Sequence, residues 1–97
     1  MKRIVRSPQY SVDLESIWLE IAADSPASAD KVVTAIERAV GLLADFPRLG
    51  TLCEQLAPGL RRIRWRDYLI YYRMAGEHIE LARVLHGRRN ITTDEFR

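Results

Sequence analysis

Three arginines alternate with apolar residues along one short stretch of the chain. Arg62, Arg64 and Arg66 are separated by single residues, and the residues between them are Ile63 and Trp65. Alternate side chains of a β-strand project from the same face, so this spacing predicts three guanidinium groups on one face of a sheet. A guanidinium group presents a planar fork of donors that matches the oxygens of a phosphate or a carboxylate. The pattern therefore indicates either a contact with an anionic partner or a solvated face with ordinary surface ion pairs.

More arginines follow on the predicted neighbouring strands or at their ends, namely Arg73, Arg83, Arg88 and Arg89. His86 comes shortly before the last two. Its imidazole could act as a general acid or base in phosphodiester cleavage. The alternative for His86 is a ring that bonds a backbone carbonyl at the end of a strand.

Four aromatic residues, Trp65, Tyr68, Tyr71 and Tyr72, lie in the same predicted strands. Aromatic side chains in strands that support helices usually belong to the core, whereas exposed ones can stack on nucleic-acid bases. Tyr71 shares a predicted face with Arg73 and is therefore the strongest of the four candidates for stacking.

The sequence lacks the residue patterns of common enzyme and metal sites. It contains no phosphate-cradling glycine loop, no H-E-x-x-H motif and no G-x-S-x-G motif. Its single cysteine, Cys53, cannot form an internal disulfide. With only His78 and His86 it cannot complete a four-ligand zinc site without carboxylates. We therefore predict no cofactor and no metal.

Length and composition predict one domain over residues 1–97, because 97 residues that are 47% hydrophobic can form one core and leave no room for a second. No apolar run approaches the ~18 residues of a membrane span, and the first residues lack the apolar segment of a signal peptide. We therefore expect a cytoplasmic protein without membrane contact. Residues 90–97 are expected to form a polar tail.

Charge is unevenly distributed along the chain, although the net charge is only +2. Residues 1–59 contain six basic and eight acidic residues, whereas residues 60–97 contain nine basic and five acidic residues. All nine basic residues of the second part are arginines. This distribution indicates an acidic partner surface.

The first half of the sequence predicts a strand followed by two helices. A β-branched run at residues 2–6 indicates the strand, and Ser7-Pro8 and Ser25-Pro26 each supply a helix cap with a first-turn proline. Apolar residues at helical spacing run from Tyr10 to Ile21 and from Ala29 to Phe46, directly before a proline. Because the two helices are joined so closely, they must double back on each other.

The second half predicts strands after an ordered loop. Residues 47–59 are rich in proline and glycine and indicate the loop. Period-2 alternation then predicts strands at 60–66, 68–74 and 79–85, joined by short turns into an antiparallel meander. The expected fold class is α+β, with a short N-terminal strand and an antiparallel helical hairpin packed on a three- to four-stranded, mainly antiparallel sheet.

The order and spacing of four segments resemble the RelE/ParE superfamily of toxins from type II toxin–antitoxin systems, and more closely its ParE (plasmid stabilisation) branch. The resemblance covers nearly the whole chain, and the family fold agrees with the architecture predicted above. The four segments are Phe46-Pro47-Arg48-Leu49-Gly50, Gly59-Leu60-Arg61, Tyr68-Leu69-Ile70-Tyr71-Tyr72-Arg73 and Arg83-Val84-Leu85-His86-Gly87-Arg88-Arg89.

This resemblance implies a growth-inhibiting toxin that is neutralised by a ParD-like antitoxin. The acidic or amphipathic C-terminal segment of the antitoxin would fold onto the toxin in a hetero-oligomeric complex. An Arg-rich sheet face and an apolar groove along the helices would supply charge and buried area for that segment. Contacts with the antitoxin or the target are expected at Arg62, Arg64, Arg66, Tyr71, Arg73, Arg88 and Arg89.

The resemblance also implies two alternative targets. ParE-like toxins act on DNA gyrase without established hydrolytic residues. RelE-like toxins cut mRNA in the ribosome with basic residues and, in several members, a histidine and a tyrosine near the C-terminus. No tyrosine follows His86 here, which favours a gyrase poison without catalytic residues of its own. Ribosome-dependent mRNA cleavage is the alternative, and a non-toxic protein-binding module is a third hypothesis. A nuclease would use His86, Arg73, Arg83, Arg88, Arg89 and Glu54.

Overall fold

The computed structural model describes all residues from Met1 to Arg97. Two helices and five strands follow one another along the chain, with a short 3₁₀ turn after the second helix and another after the last strand. None of the helices is both long and apolar enough to cross a membrane. The elements are β1 (Arg3–Arg6), α1 (Pro8–Ala22), α2 (Pro26–Gly41), a 3₁₀ turn (Leu42–Ala44), β2 (Thr51–Leu52), β3 (Leu60–Trp65), β4 (Tyr68–Ala75), β5 (His78–His86) and a 3₁₀ turn (Thr93–Phe96).

Serine caps and first-turn prolines begin both helices, as the sequence predicts. The Ser7 hydroxyl accepts the Tyr10 N–H at 3.0 Å, and the Ser25 hydroxyl accepts the Ser28 N–H at 3.2 Å. Each bond satisfies one of the backbone N–H groups that a helix leaves unpaired at its start. Three residues connect the helices, which pack against each other as a hairpin. The indole N–H of Trp18 donates to Asp30 Oδ1 at 2.8 Å and ties α1 to α2.

The sheet has five strands in the order β1-β5-β4-β3-β2. Strand β1 pairs with β5 in parallel, and all other pairs are antiparallel. The α+β class and the meander are therefore confirmed, and the sheet contains one strand more than the three to four expected. The additional strand is β2, which lies within the predicted loop. It pairs only Thr51 with Arg62 and Leu52 with Arg61, and two residues are too few to produce a readable alternation.

The helical hairpin covers one face of the sheet, and a second, smaller cluster lies on the opposite face, which we call the open face. The larger core joins both helices to the sheet. Its buried members are Tyr10, Ile17, Ile36, Val40, Leu43, Ile70, Tyr72, Ile79, Leu81 and Val84. The cluster on the open face consists of Cys53, Leu60, Tyr71, Ala82 and Leu85.

The end of the second helix differs from the prediction. The periodic pattern extends to Phe46, but α2 ends at Gly41 and continues as a 3₁₀ turn. A 3₁₀ turn advances by 3.0 residues per turn instead of 3.6, so the apolar stripe loses its register with the core. Leu43 still reaches the core, whereas Phe46, the last residue of the predicted stripe, is 61% exposed.

Gly50 lies where the loop before β2 crosses the sheet. Its N–H donates to Tyr72 Oη at 2.8 Å, and the same hydroxyl donates to the Pro47 carbonyl at 2.8 Å. Burial raises the pKa of Tyr72, and the Gly50 N–H partly opposes that shift. A Cβ atom at position 50 would lie only 2.8 Å from the Arg62 carbonyl oxygen and from the Tyr72 ring and hydroxyl. The close approach of loop and sheet therefore requires glycine here.

We expect Gly50→Ala to lower the free energy of unfolding by about 2–3 kcal/mol, because a methyl group would overpack a backbone contact. Gly41→Ala is the matched control, since nothing lies within 4 Å of a Cβ atom at that helical position. This control should raise the free energy of unfolding by about 0.5–1 kcal/mol. Urea denaturation followed by circular dichroism measures both, and equal stabilities of the two variants would contradict the role of Gly50.

Candidate binding site on the open face

A cavity of about 480 Å³ opens on the open face, near the β3–β4 turn and the end of β5. Its lining is polar, and arginine is the commonest residue type in it. We call it the arginine cavity. The residues that border it are Thr51, Arg62, Arg64, Asp67, Leu69, His86, Gly87 and Arg88.

Two of the three alternating arginines lie on the predicted face. Arg62 and Arg64 have the same parity in β3 as the buried Leu60 of the open-face cluster, and both border the cavity. The pKa of Arg62 is raised, chiefly by the hydroxyl of Tyr71 on the neighbouring strand, although no hydrogen bond joins the two groups. Neither arginine has a carboxylate within 4 Å.

Arg66 does not join them, and this part of the prediction is wrong. Strand β3 ends at Trp65, and Arg66 has a φ of +52°, so the chain has already entered the turn. The guanidinium of Arg66 lies 4.9 Å from the centre of the Trp65 ring, which packs on the helix-facing core. The alternation stops one residue before the sequence pattern does, and Arg66 therefore occupies the helix-facing side.

Arg88 reaches the cavity because the chain turns sharply after β5. The Gly87 N–H donates to the Asp67 carbonyl at 2.7 Å, which fixes the end of β5 to the β3–β4 turn. A Cβ atom at position 87 would lie 3.2 Å from that same oxygen. Arg88 follows at once, without a carboxylate partner, and supplies the third guanidinium of the cavity.

His86 borders the cavity, but its ring is not placed among the arginines. It pairs with Tyr68 across the strands, and the two rings pack edge to face with centroids 5.3 Å apart. Tyr68 packs on the helix-facing core, so the imidazole leaves the sheet on the side opposite Arg62 and Arg64. Its Nδ1 accepts the Arg88 N–H at 3.0 Å, so the expected bond to a carbonyl is also wrong. The donor is a backbone amide just after the end of β5, and the sequence pattern gives no sign of this bond.

Arg83 does not border the cavity, and its side chain stabilises the fold instead. Two of its nitrogens donate to the two Asp13 oxygens at 2.7 and 2.8 Å, and a third lies 3.3 Å from Glu95. The hydrogen bond to Asp13 is the main reason why the pKa of Arg83 is raised. Asp13 also accepts the Val84 N–H at 3.1 Å, beyond the point where β1 stops pairing with β5. This network fastens α1 to the free part of β5.

The remaining site residues predicted from the sequence also bind partners outside the cavity. Arg73 lies 3.5 Å from Glu80 on the adjacent strand, and Arg89 lies 3.4 Å from Glu95. The Glu54 carboxylate accepts the Gly59 N–H at 3.2 Å and closes the loop before β3. No three His, Cys, Asp or Glu side chains converge on a point that could hold a metal ion. The residues expected of a nuclease therefore do not converge as one set, although Arg83 and Arg89 meet at Glu95.

Tyr71 has the predicted parity, but it is 0% exposed and cannot stack on a base. The ring of Phe96 covers it with centroids 4.8 Å apart, and Ile91 packs on the same cluster. Residues 90–97 therefore do not form a free polar tail. Ile91 and Phe96 are the two large apolar residues of this segment and could have indicated the contact. The acidic residues between them made the segment look polar. The hydroxyl of Tyr71 is buried without a hydrogen-bond partner.

Comparison with known proteins gives the family. The family model described as the ParE toxin of the type II toxin–antitoxin system parDE matches residues 4–91. The chain belongs to the ParE toxin family. The match ends at Ile91, so Glu95 and Phe96 lie outside it.

Individual relatives agree with this membership. The chain is 32% identical over 92 residues to Toxin ParE3 of Caulobacter vibrioides, with 94% of this chain and 92% of the relative covered. It is 30% identical over 92 residues to Toxin ParE1 of Mycobacterium tuberculosis, with 92% and 93% covered. A solved chain from the chromosomal ParDE TA system of P. aeruginosa superposes with a TM-score of 0.75 at 23% identity, covering 89% of this chain and 96% of that one. This last likeness supports the shared fold.

A second surface of this ParE family member lies between the helices. A groove of about 320 Å³ runs along the outer side of α1 and α2, with Leu14, Trp18 and Val33 among its lining residues. At one end the Tyr10 hydroxyl donates to Glu37 at 2.7 Å, and Glu37 also binds Arg6. Burial is the main cause of the raised pKa of Tyr10. The apolar groove expected along the helices is thus present.

We expect Arg83→Ala to lower the free energy of unfolding by about 3 kcal/mol, because it leaves the Asp13 carboxylate buried without its partner. Arg88→Ala is the matched control, since Arg88 has no carboxylate partner, and it should change stability by less than about 0.5 kcal/mol. Urea denaturation at neutral pH measures both changes. If the Arg83 variant were as stable as the Arg88 variant, the ion pair would not hold α1 on β5.

Proposed function

We propose that this protein inhibits bacterial growth by binding and poisoning DNA gyrase, and that a cognate antitoxin neutralises it. Membership of the ParE toxin family supports the toxin class. The observation that favours a binding mechanism is the composition of the arginine cavity, where three guanidinium groups meet. The two other ionisable residues that border the cavity are Asp67 in the β3–β4 turn and His86, whose ring packs on Tyr68.

A general base and a general acid accelerate phosphodiester cleavage when they lie within hydrogen-bonding reach of the reacting atoms. An arginine cannot act as the base, because its guanidinium stays protonated in proteins. His86 points to the other side of the sheet, Tyr71 is buried and Glu54 caps a loop. The geometry therefore supports recognition of an anionic partner better than hydrolysis.

The antitoxin contact is proposed to combine charge and apolar burial. Arg62, Arg64 and Arg88 have no carboxylate of this chain within 4 Å, so an acidic segment can supply the missing partners. The groove between α1 and α2 offers apolar surface to the same antitoxin. Buried area of this kind offsets the entropy that a disordered segment loses when it folds on its partner.

Purified toxin, released from its antitoxin, should abolish supercoiling of relaxed plasmid by DNA gyrase in the presence of ATP. A poison should also cause cleaved DNA to accumulate, because it traps the enzyme after strand breakage. Agarose gel electrophoresis resolves supercoiled, relaxed and linear plasmid. Adding the antitoxin before the toxin should restore supercoiling.

Undisturbed supercoiling at a large molar excess of toxin would contradict the gyrase proposal. A translating extract tests the alternative target in the same series, and cut transcripts that disappear with His86→Ala would identify an mRNA endonuclease. Harmless overexpression of the toxin without its antitoxin would instead support the non-toxic binding module.

The double variant Arg62→Ala/Arg64→Ala should bind the antitoxin at least about tenfold more weakly at low salt, because two charge-assisted contacts are lost. Its affinity should also depend less on salt, since fewer charges remain to be screened. Isothermal titration calorimetry at two salt concentrations measures both effects.

The control variant Arg3→Ala/Arg48→Ala removes the same net charge from two arginines that have no carboxylate partner and lie outside the cavity. It should retain the affinity of the wild type. Unchanged affinity and salt dependence in the cavity variant would exclude the arginine cavity as the antitoxin site.

A further inference from the structure

A second basic site lies on the opposite side of the β3–β4 turn from the arginine cavity. It is a depression of about 260 Å³ between α2 and the turn. Val32, Ala35 and Trp65 give it an apolar lining, Lys31 and Arg66 contribute positive charge, and no acidic residue borders it. Neither Lys31 nor Arg66 has a carboxylate within 4 Å. We call this site the Arg66 depression.

Arg66 is held in a backbone conformation that does not suit arginine. It is the only residue other than glycine with a positive φ, at +52°. Glycine and asparagine adopt this region at lower cost, and asparagine does so without losing a side chain. Strained residues of this kind are enriched at binding and catalytic sites.

The fold itself makes little use of the Arg66 side chain. Its carbonyl accepts the Arg64 Nε at 2.7 Å, but any residue at position 66 would provide that carbonyl. The guanidinium forms no hydrogen bond and no ion pair, and it lies over the Trp65 ring. A contact outside the chain is therefore the best account of an arginine at this position.

The aromatic neighbours of Arg66 are of the types that anchor protein interfaces. Trp65 and Tyr68 lie roughly parallel, with centroids 6.5 Å apart and an interplanar angle of 17°. Both are partly exposed beside the turn. Tryptophan, tyrosine and arginine are enriched among the residues that carry most of the binding energy at interfaces.

We propose that the Arg66 depression is the contact site for an acidic loop of the toxin's protein target. A carboxylate of that loop binds between Lys31 and Arg66, and its apolar neighbours pack on Trp65. The charge favours this occupant, because two unpaired cations surround an apolar floor. The inference rests on the proposed function, since it names the toxin surface that meets the target. The arginine cavity, which we assign to the antitoxin, lies on the other face of the sheet.

The test is Arg66→Asn, which removes the charge and relaxes the backbone. Its unfolding midpoint should equal or exceed that of the wild type, whereas its inhibitory concentration in the gyrase supercoiling assay should rise about tenfold, a typical effect for an interface arginine. Antitoxin affinity should stay within about twofold, and expression without antitoxin should no longer arrest growth. The matched control is Arg48→Asn, which alters an exposed loop arginine without a carboxylate partner and should behave as the wild type.

The proposal would be overturned by retained growth arrest in Arg66→Asn, by a lower unfolding midpoint, or by a loss confined to antitoxin affinity. Slower cutting of transcripts by Arg66→Asn in a translating extract would also overturn it, because the partner would then be RNA. Growth arrest gives a readout that does not depend on gyrase. If wild-type toxin left gyrase unaffected but Arg66→Asn alone lost growth arrest without cutting RNA, the gyrase proposal would fail and the depression would still be the target site.

Discussion

The helical hairpin covers only one face of a five-stranded sheet, and the rest of the structure follows from this one-sided burial. Each central strand must send its larger apolar side chains to the helices on alternate positions, as Ile70 and Tyr72 do in β4. The remaining positions face away from the helices and need another solution. Near β5 they form the small open-face cluster, in which the ring of Phe96 covers Tyr71. Towards the β3–β4 turn no segment covers the sheet, and arginines occupy it.

Two groups of arginines have different physical roles. Some bind carboxylates of the same chain, and the best buried of these is Arg83 with Asp13, which holds α1 against the part of β5 that β1 leaves free. Four others have no carboxylate partner and border the two depressions on either side of the β3–β4 turn. A charge that is already paired has little to gain from a new partner. The unpaired group is therefore where binding should be sought, although both groups look the same in the sequence.

Regular alternation and helix caps made most of the fold predictable. Ser7-Pro8 and Ser25-Pro26 located both helix starts, and the meander followed from strong period-2 patterns. The site was less predictable, because its details depend on where the periodicity stops. Arg66 continues the alternating pattern but lies in the turn, and Tyr71 has the right parity but is covered by a residue 25 positions later. Pairing partners distant in sequence, such as Asp13 for Arg83, leave no local signal.

The distribution of charge also limits how one partner can bind both faces. The groove between α1 and α2 is bordered by Glu15 and Glu37, with Arg6 already bound to Glu37. A strongly acidic segment would be repelled there, whereas the same segment would be attracted to the arginine cavity. Over distances longer than about 8 Å salt screens these forces, so each part of a partner responds mainly to its local surface. A partner that spans both sites must therefore be amphipathic, with apolar residues for the groove and carboxylates confined to the part that reaches the open face.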